Sequence, residues 1–261
     1  MTLSIDDDLI EFLIVTARKA GTEVLRIFHS DFKVRVKEDK SPVTLADERA
    51  EAIIRKALEE RTPHIPFVGE EAYATGHRPD LSSGTFWLVD ALDGTKEFIQ
   101  KRTEFTINVA LVVKNIPVLG VIYSPGNDVT YFGSNNGAFC ESKIEGKREI
   151  FTRIPDNDGL IVVQSRSHRV GEAEYLKNVN IKKIISSGSS IKFCIIAAGE
   201  ADLYLRMGPT SEWDTAAGHA ILLSAGGQMT QLDDSPFIYG KNDILNPPFI
   251  AMGKPRNLAK L

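Results

Sequence analysis

The sequence predicts an α/β protein of layered α+β type: two N-terminal helices, a largely antiparallel sheet, then a mixed α/β half. Three observations predict it. Apolar residues recur at helical spacing before residue 60, turn-bounded apolar runs fill residues 65–133, and strands alternate with helices from residue 160. The length of 261 residues suits one large domain or two closely joined subdomains, and 43% hydrophobic residues support a sizeable core.

The first helix is marked by Leu9, Ile10, Leu13, Ile14, Ala17, Val24, Leu25 and Phe28, one apolar face. Residues 34–42, polar and lysine-rich, read as a loop. A second helix runs from about Leu45 to Glu60, with Thr44 as N-cap and Asp47 and Glu48 in its first turn. Phe67-Val68 and Thr85 to Val89 are strands that end in acids. Phe105 to Val113 and Val118 to Tyr123 form a hairpin across Lys114 to Pro117, and Val129 to Gly133 continues the sheet. The charged stretch from Glu141 to Asp158 reads as a connection. It divides an N-terminal α+β subdomain, residues 1–150, from a C-terminal α/β subdomain, residues 151–261. Beyond it lie strands at Leu160 to Gln164, Ile181 to Ser186, Ala201 to Leu205 and Phe249 to Met252. Helices run from Ser190 to Ala198 and from Asp214 to Ala225, the latter stopped by Gly226-Gly227.

Composition removes several classes of function. A formal charge of −4 from 31 basic and 35 acidic side chains argues against general nucleic-acid binding. No apolar run approaches the ~18 residues of a membrane span, and the acidic N-terminus does not read as a signal peptide. Cys140 and Cys194, each beside apolar neighbours, read as buried thiols of a cytoplasmic protein rather than as a disulfide.

The segment that carries chemistry is Trp87-Leu-Val-Asp90-Ala-Leu-Asp93-Gly-Thr95. Positions i and i+3 of a regular strand face opposite ways, so Asp90 and Asp93 converge only if the strand ends at Asp90 and turns. Gly94 permits the turn, and the N–H groups of Gly94 and Thr95 then open a helix, an anion-friendly arrangement. Simple helix capping is the competing reading. It loses ground because Glu70 also ends an apolar strand and Asp214 starts a helix. If Glu70, Asp90, Asp93 and Asp214 share a pocket, their repulsion demands cations, and an all-oxygen set favours a hard ion such as Mg²⁺. Neither an EF-hand loop nor a P-loop occurs.

Asp90-Ala-Leu-Asp93-Gly-Thr95, with Gly69-Glu70-Glu71 before it and Trp213-Asp214-Thr-Ala-Ala-Gly218 far downstream, resembles the inositol monophosphatase superfamily of Mg²⁺-dependent, lithium-sensitive phosphatases. The resemblance spans nearly the whole chain and implies an αβαβα sandwich. Ser165-Arg-Ser-His168, Gly188-Ser-Ser-Ile-Lys-Phe193 and Gly208-Pro-Thr-Ser-Glu-Trp-Asp-Thr-Ala-Ala-Gly-His219 look like its bacterial CysQ-type 3′(2′),5′-bisphosphate nucleotidase branch. Ala91 departs from the family's usual proline, which removes no ligand.

The resemblance implies that Glu70, Asp90, Asp93, Asp214 and the Leu92 carbonyl hold two or three Mg²⁺ ions. Asp47 and Thr95 would position and deprotonate the attacking water, and Leu92 to Thr95 would hold the scissile phosphate. The implied substrate is a small nucleotide bisphosphate, 3′-phosphoadenosine 5′-phosphate, with its sulfated form; inositol phosphates and sugar phosphates are the alternative. For the second phosphate the candidates are Ser189, Ser190 and Lys192, with Arg166 and His168 nearby. Lys192 as a solvated helix lysine and His168 as a structural residue are the competing readings. His219, Trp213 and Tyr204 read as packing, the two aromatics with base stacking as an alternative. Monomer and dimer both stay open, as does loose attachment to the inner membrane.

Overall fold

The computed structural model describes residues 4–36, 42–166 and 171–254. Helix α1, Asp7–Phe28, starts where the Asp6 carboxylate accepts the Leu9 N–H at 2.9 Å, and it buries the predicted apolar face. Strand β1, Val34–Val36, pairs antiparallel with β2, Pro42–Thr44, so the ends of the predicted loop are a short ribbon. The β-branched Val34, Val36, Val43 and Thr44 suit a strand, but charged neighbours hide the alternation. Helix α2, Leu45–Arg61, has Thr44 as its N-cap, as the sequence predicts, within a full capping box closed by Asp47.

A seven-stranded sheet follows the chain in order: β3 (Phe67–Gly69), β4 (Thr85–Asp93), β5 (Thr106–Val113), β6 (Ile116–Ser124), β7 (Val129–Ser134), β8 (Gly137–Ser142) and β9 (Gly146–Glu149). Only β3 and β4 pair in parallel; every later pair is antiparallel. Short helices α3, Glu70–Ala74, and α4, Thr95–Ile99, leave the ends of β3 and β4. The β5–β6 turn is tighter than predicted. Lys114 and Asn115 hold it alone with φ of 52° and 64°, and Ile116-Pro117 belong to β6.

The predicted connection at Glu141 to Asp158 is also shorter. Its first part closes β8 and β9 as a hairpin, and irregular backbone begins only at Ile150. β9 is exposed at all four positions and reads Gly-Lys-Arg-Glu, so it carries no apolar signal; such charge is typical of a guarded sheet edge.

The second sheet contains β10 (Leu160–Ser165), β11 (Ile181–Ser187), β12 (Leu203–Arg206), β13 (Gln228–Gln231) and β14 (Phe249–Met252), in the order β11-β10-β12-β14-β13. Around it lie α5 (Glu172–Tyr175), α6 (Ile191–Ala197) and α7 (Glu212–Ser224).

Three buried clusters define the layers. Leu13 of α1, Ile54 of α2 and Trp87, Val109 and Val121 of the large sheet share the first. The opposite sheet face, with Phe86, Leu88 and Ile122, meets Phe193 of α6, Ala217 and Ile221 of α7 and the inner face of the second sheet. Leu160, Val162, Leu203 and Ile250 on the outer face pack with Leu176 at the end of α5. The order is therefore αβαβα, as expected, with the last helical layer reduced to a single turn. Cys140 and Cys194 are free, buried thiols.

Candidate active site

Strand β4 and helices α3 and α7 deliver carboxylates to one cleft. Strand β4 does so by a device other than the predicted turn. It continues through Asp93, but Asp90 pairs with Asn108 and Asp93 with Thr106 on β5, so β4 carries one extra residue. That bulge returns Asp93 to the side that Asp90 faces. Within it the Asp90 carboxylate accepts the Leu92 N–H at 3.0 Å. Gly94, at φ 94°, then leads into α4, and a Cβ there would lie 2.9 Å from the Glu104 carbonyl oxygen.

Glu70 enters from the first position of α3, and Asp214 from the first turn of α7, where its Oδ2 accepts the Ser211 N–H at 2.7 Å. Carboxylate oxygens of Glu70, Asp90 and Asp214 all lie within 4.8 Å of one another. Burial, then repulsion from Glu70, Asp93 and Asp214, pushes the Asp90 carboxyl well above its usual range. Burial, Asp93 and Glu70 do the same to Asp214. This is a destabilised anionic cluster of hard oxygen donors, and it fits divalent cations.

Asp93 leans differently. Burial pushes it up to about 6, while Lys192, the Ser190 N–H and the Asn108 side chain hold it down. A buried hydroxyl chain supports this corner, with Thr106 Oγ1 2.8 Å from Ser190 Oγ and Ser190 Oγ donating to Asn108 Oδ1 at 2.7 Å.

Asp47 shows why an acid in a first helical turn can be more than a cap. Its Oδ2 accepts the Thr44 N–H at 2.8 Å and the Thr44 hydroxyl at 2.7 Å, which fixes the carboxylate. Its Oδ1 lies 3.1 Å from the Thr95 hydroxyl, which is also 3.2 Å from the Leu92 carbonyl oxygen. Burial, opposed by the Thr44 hydrogen bonds, pushes Asp47 up to about 6.

The cleft above these groups has a volume of about 290 Å³ and is lined by Glu70, Asp90, Leu92, Asp93, Gly94, Thr95, Ser189, Ser190, Lys192 and Asp214, among others. Ser189, at φ 46°, holds a backbone conformation unusual for a side-chain-bearing residue. Lys192 is no solvated lysine: it is 5% exposed, donates to the Ser189 carbonyl and lies 5.2 Å from the Tyr204 ring centre. Burial lowers its ammonium to about 8, although Asp93 opposes the shift.

Not every candidate reaches the cleft. Arg166 is paired with Glu104 through contacts of 2.8 and 2.7 Å and donates to the Ser186 carbonyl at 3.1 Å; it is not a lining residue. His168 lies outside the described residues. His219 is buried, 3.1 Å from the Tyr239 hydroxyl, and burial lowers it to about 3. Trp213 packs edge-on to Tyr73, and Tyr204 against Phe193 and Phe249.

Arg206 was not among the sequence candidates, yet it is buried, lines the cleft and donates to the Gly208 and Pro209 carbonyls at 3.1 and 3.0 Å. Its signal was available: it is a charge that ends an apolar strand, β12.

Comparison with known proteins agrees with this geometry. The family model described as "Inositol monophosphatase family" matches residues 6–260. The chain is 41% identical to the 3′(2′),5′-bisphosphate nucleotidase CysQ of Buchnera aphidicola over 216 residues, 82% of this chain and 80% of that protein. It is 40% identical to CysQ of Salmonella typhimurium over 245 residues, 92% of this chain and 98% of that protein. The crystal structure of CysQ from Bacteroides thetaiotaomicron, a bacterial member of the inositol monophosphatase family, superposes with a TM-score of 0.81 at 37% identity. That alignment covers 97% of this chain and 99% of that one. A fold of this layering, an acidic cluster at the end of β4 and a family match over almost the whole length lead to one conclusion: the chain belongs to the inositol monophosphatase family.

Proposed function

We propose that this protein is a Mg²⁺-dependent 3′(2′),5′-bisphosphate nucleotidase that hydrolyses the 3′-phosphate of 3′-phosphoadenosine 5′-phosphate, and of its sulfated form. The observation that carries the substrate is a single cleft lined by charges of both signs. The carboxylates of Glu70, Asp90 and Asp214 gather there, and the buried cations Lys192 and Arg206 line the same cleft. A monophosphate needs only the acidic cluster; a bisphosphate gives the two cations a second anion to hold. The names of the CysQ relatives support the same substrate.

In this reading Glu70, Asp90, Asp93, Asp214 and the Leu92 carbonyl hold two or three Mg²⁺ ions. Bound there, the ions would supply charge neutralisation and Lewis-acid polarisation of water and phosphoryl oxygens. The chain's own groups do the rest. Thr95 gives its hydroxyl proton to Asp47 as it takes one from the attacking water, and Asp47, raised to about 6, is a base suited to near-neutral pH. The N–H groups of Gly94 and Thr95 open the turn that receives the scissile phosphate, whose charge spreads over its oxygens in the transition state. Lys192 and Arg206, assisted by Ser189 and Ser190, receive the second phosphate.

No helix among the described residues is long and apolar enough to cross a membrane. We place the reaction in the cytoplasm, where Cys140 and Cys194 stay reduced.

Phosphorus NMR of a reaction with 3′-phosphoadenosine 5′-phosphate tests the proposal. Loss of the 3′ resonance with retention of the 5′ resonance, arrested by a chelator and restored by Mg²⁺, is expected. Loss of the 5′ phosphate, or turnover that ignores the chelator, would overturn it.

A further inference from the structure

Helix α3 begins at Glu70, so its position decides where the Glu70 carboxylate sits. Such a short helix has little stability of its own. Its N-cap, Gly69, has no side chain with which to satisfy the first N–H groups. The missing cap comes from another helix. Glu51 on α2 reaches across with both carboxylate oxygens: Oε2 accepts the Glu71 N–H and Oε1 the Ala72 N–H, each at 2.7 Å. Both bonds have the short length of charge-assisted hydrogen bonds, and Glu51 is only 5% exposed.

The approach depends on the absence of a side chain at position 69. A Cβ there would lie 2.5 Å from Glu51 Oε2 and 2.6 Å from Glu51 Cδ. Glu51 also stands one turn beyond Asp47 on the same face of α2. One rigid helix thus presents the base that faces Thr95 and the brace that sets Glu70.

We propose that Glu51 is a positioning residue for the hydrolytic site, acting through the backbone of α3 to hold Glu70 in register with Asp90 and Asp214. The inference rests on the reading of that cluster as the Mg²⁺ site, and it concerns the affinity of the site rather than the choice of substrate.

The test is Glu51→Gln. A glutamine retains one acceptor, but its amide nitrogen confronts the second N–H, donor against donor. Calorimetric titration of the metal-free protein with Mn²⁺ is expected to show at least about a tenfold loss of affinity, the usual effect of removing an outer support of a ligand. Half-maximal activity should need correspondingly more Mg²⁺, while kcat at saturating Mg²⁺ falls much less. Hydrogen exchange should show the Glu71 and Ala72 amides losing protection. Gly69→Ala, whose Cβ would press on Glu51 and on the Phe67 ring without altering any carboxylate, is expected to behave alike and covers the case in which Glu51→Gln fails to fold.

Glu70→Gln serves as the reference. Unchanged Mn²⁺ affinity in the folded Glu51 and Gly69 variants, with a clear loss in Glu70→Gln, would overturn the brace. Unchanged affinity in Glu70→Gln would overturn the metal-site reading, and the brace with it. Because Mn²⁺ binding needs no nucleotide, failure of the substrate assignment would leave this test standing.

Discussion

Asp90→Asn is expected to abolish turnover and, in chelator at pH 7.5, to raise the melting temperature above that of the parent protein. The asparagine would keep the Oδ1 that accepts the Leu92 N–H, so the bulge survives. What disappears is a buried negative charge beside Glu70, Asp93 and Asp214. A carboxyl whose folded pKa is raised binds its proton more tightly in the folded state. Its charge therefore costs stability above the folded pKa, and the cost fades as pH falls toward the unfolded value. For Asp47 and Asp93, both pushed up to about 6, that window runs from about 6 down to the ordinary 3.8; Asp90 is shifted in the same direction.

His219 works the other way. Lowered to about 3, it loses stability as pH falls through 6.5, which is why variant and parent are compared at one pH, where its contribution cancels. Removing the Asp90 charge should therefore raise the melting temperature measured in chelator. Added Mg²⁺ should then stabilise the parent strongly and the variant weakly. Activity should drop by at least about a thousandfold, as for loss of a central group in a catalytic unit. A variant that melts below the parent in chelator would show that the cluster is not under electrostatic strain.

Lys192→Ala should separate substrates rather than lower activity uniformly. Lys192 is buried beside the Ser189 carbonyl, in the cleft shared with Asp93, and its place suits the phosphate that is not cleaved. Losing a buried partner of a charged group typically costs about 2–5 kcal/mol. The variant should therefore lose at least about thirtyfold in kcat/KM on 3′-phosphoadenosine 5′-phosphate, and only a few-fold on 3′-adenosine monophosphate. Lys192 also lowers Asp93, so both assays need saturating Mg²⁺. Equal losses on the two substrates would remove Lys192 from the second-phosphate site and leave it as a support of Asp93.

Most of the layering is legible in the sequence because long apolar runs and a strong helical period leave little choice. α1, α2 and the strands from β4 to β7 belong to this class, and the short β3 is marked by its apolar pair running into Gly69-Glu70. Most of the missed elements are short or solvent-facing and carry no period. β9 is polar throughout, β1 and β2 offer three residues each, and α3 and α5 span barely a turn.

The site divides in the same way. Glu70, Asp90 and Asp214 stand out because acids at the ends of apolar elements are conspicuous, and the structure gathers them. The bulge that aligns Asp90 with Asp93 is not visible in advance, since an extra residue in a strand leaves no compositional mark. Arg166 illustrates the converse: the resemblance sets it near Lys192, and its side chain pairs with Glu104, distant in sequence. Glu51 carries no distinguishing signal in the sequence, and only the approach of α3 gives it a task.

One measurement tests the central claim most directly: phosphate release, in Mg²⁺, from 3′-phosphoadenosine 5′-phosphate and inositol 1-phosphate in parallel, each with and without lithium. Clear preference for the nucleotide, suppressed by lithium, is the predicted result. Preference for the inositol ester would keep the chemistry of the acidic cluster but contradict the assignment of Lys192 and Arg206 to a second phosphate.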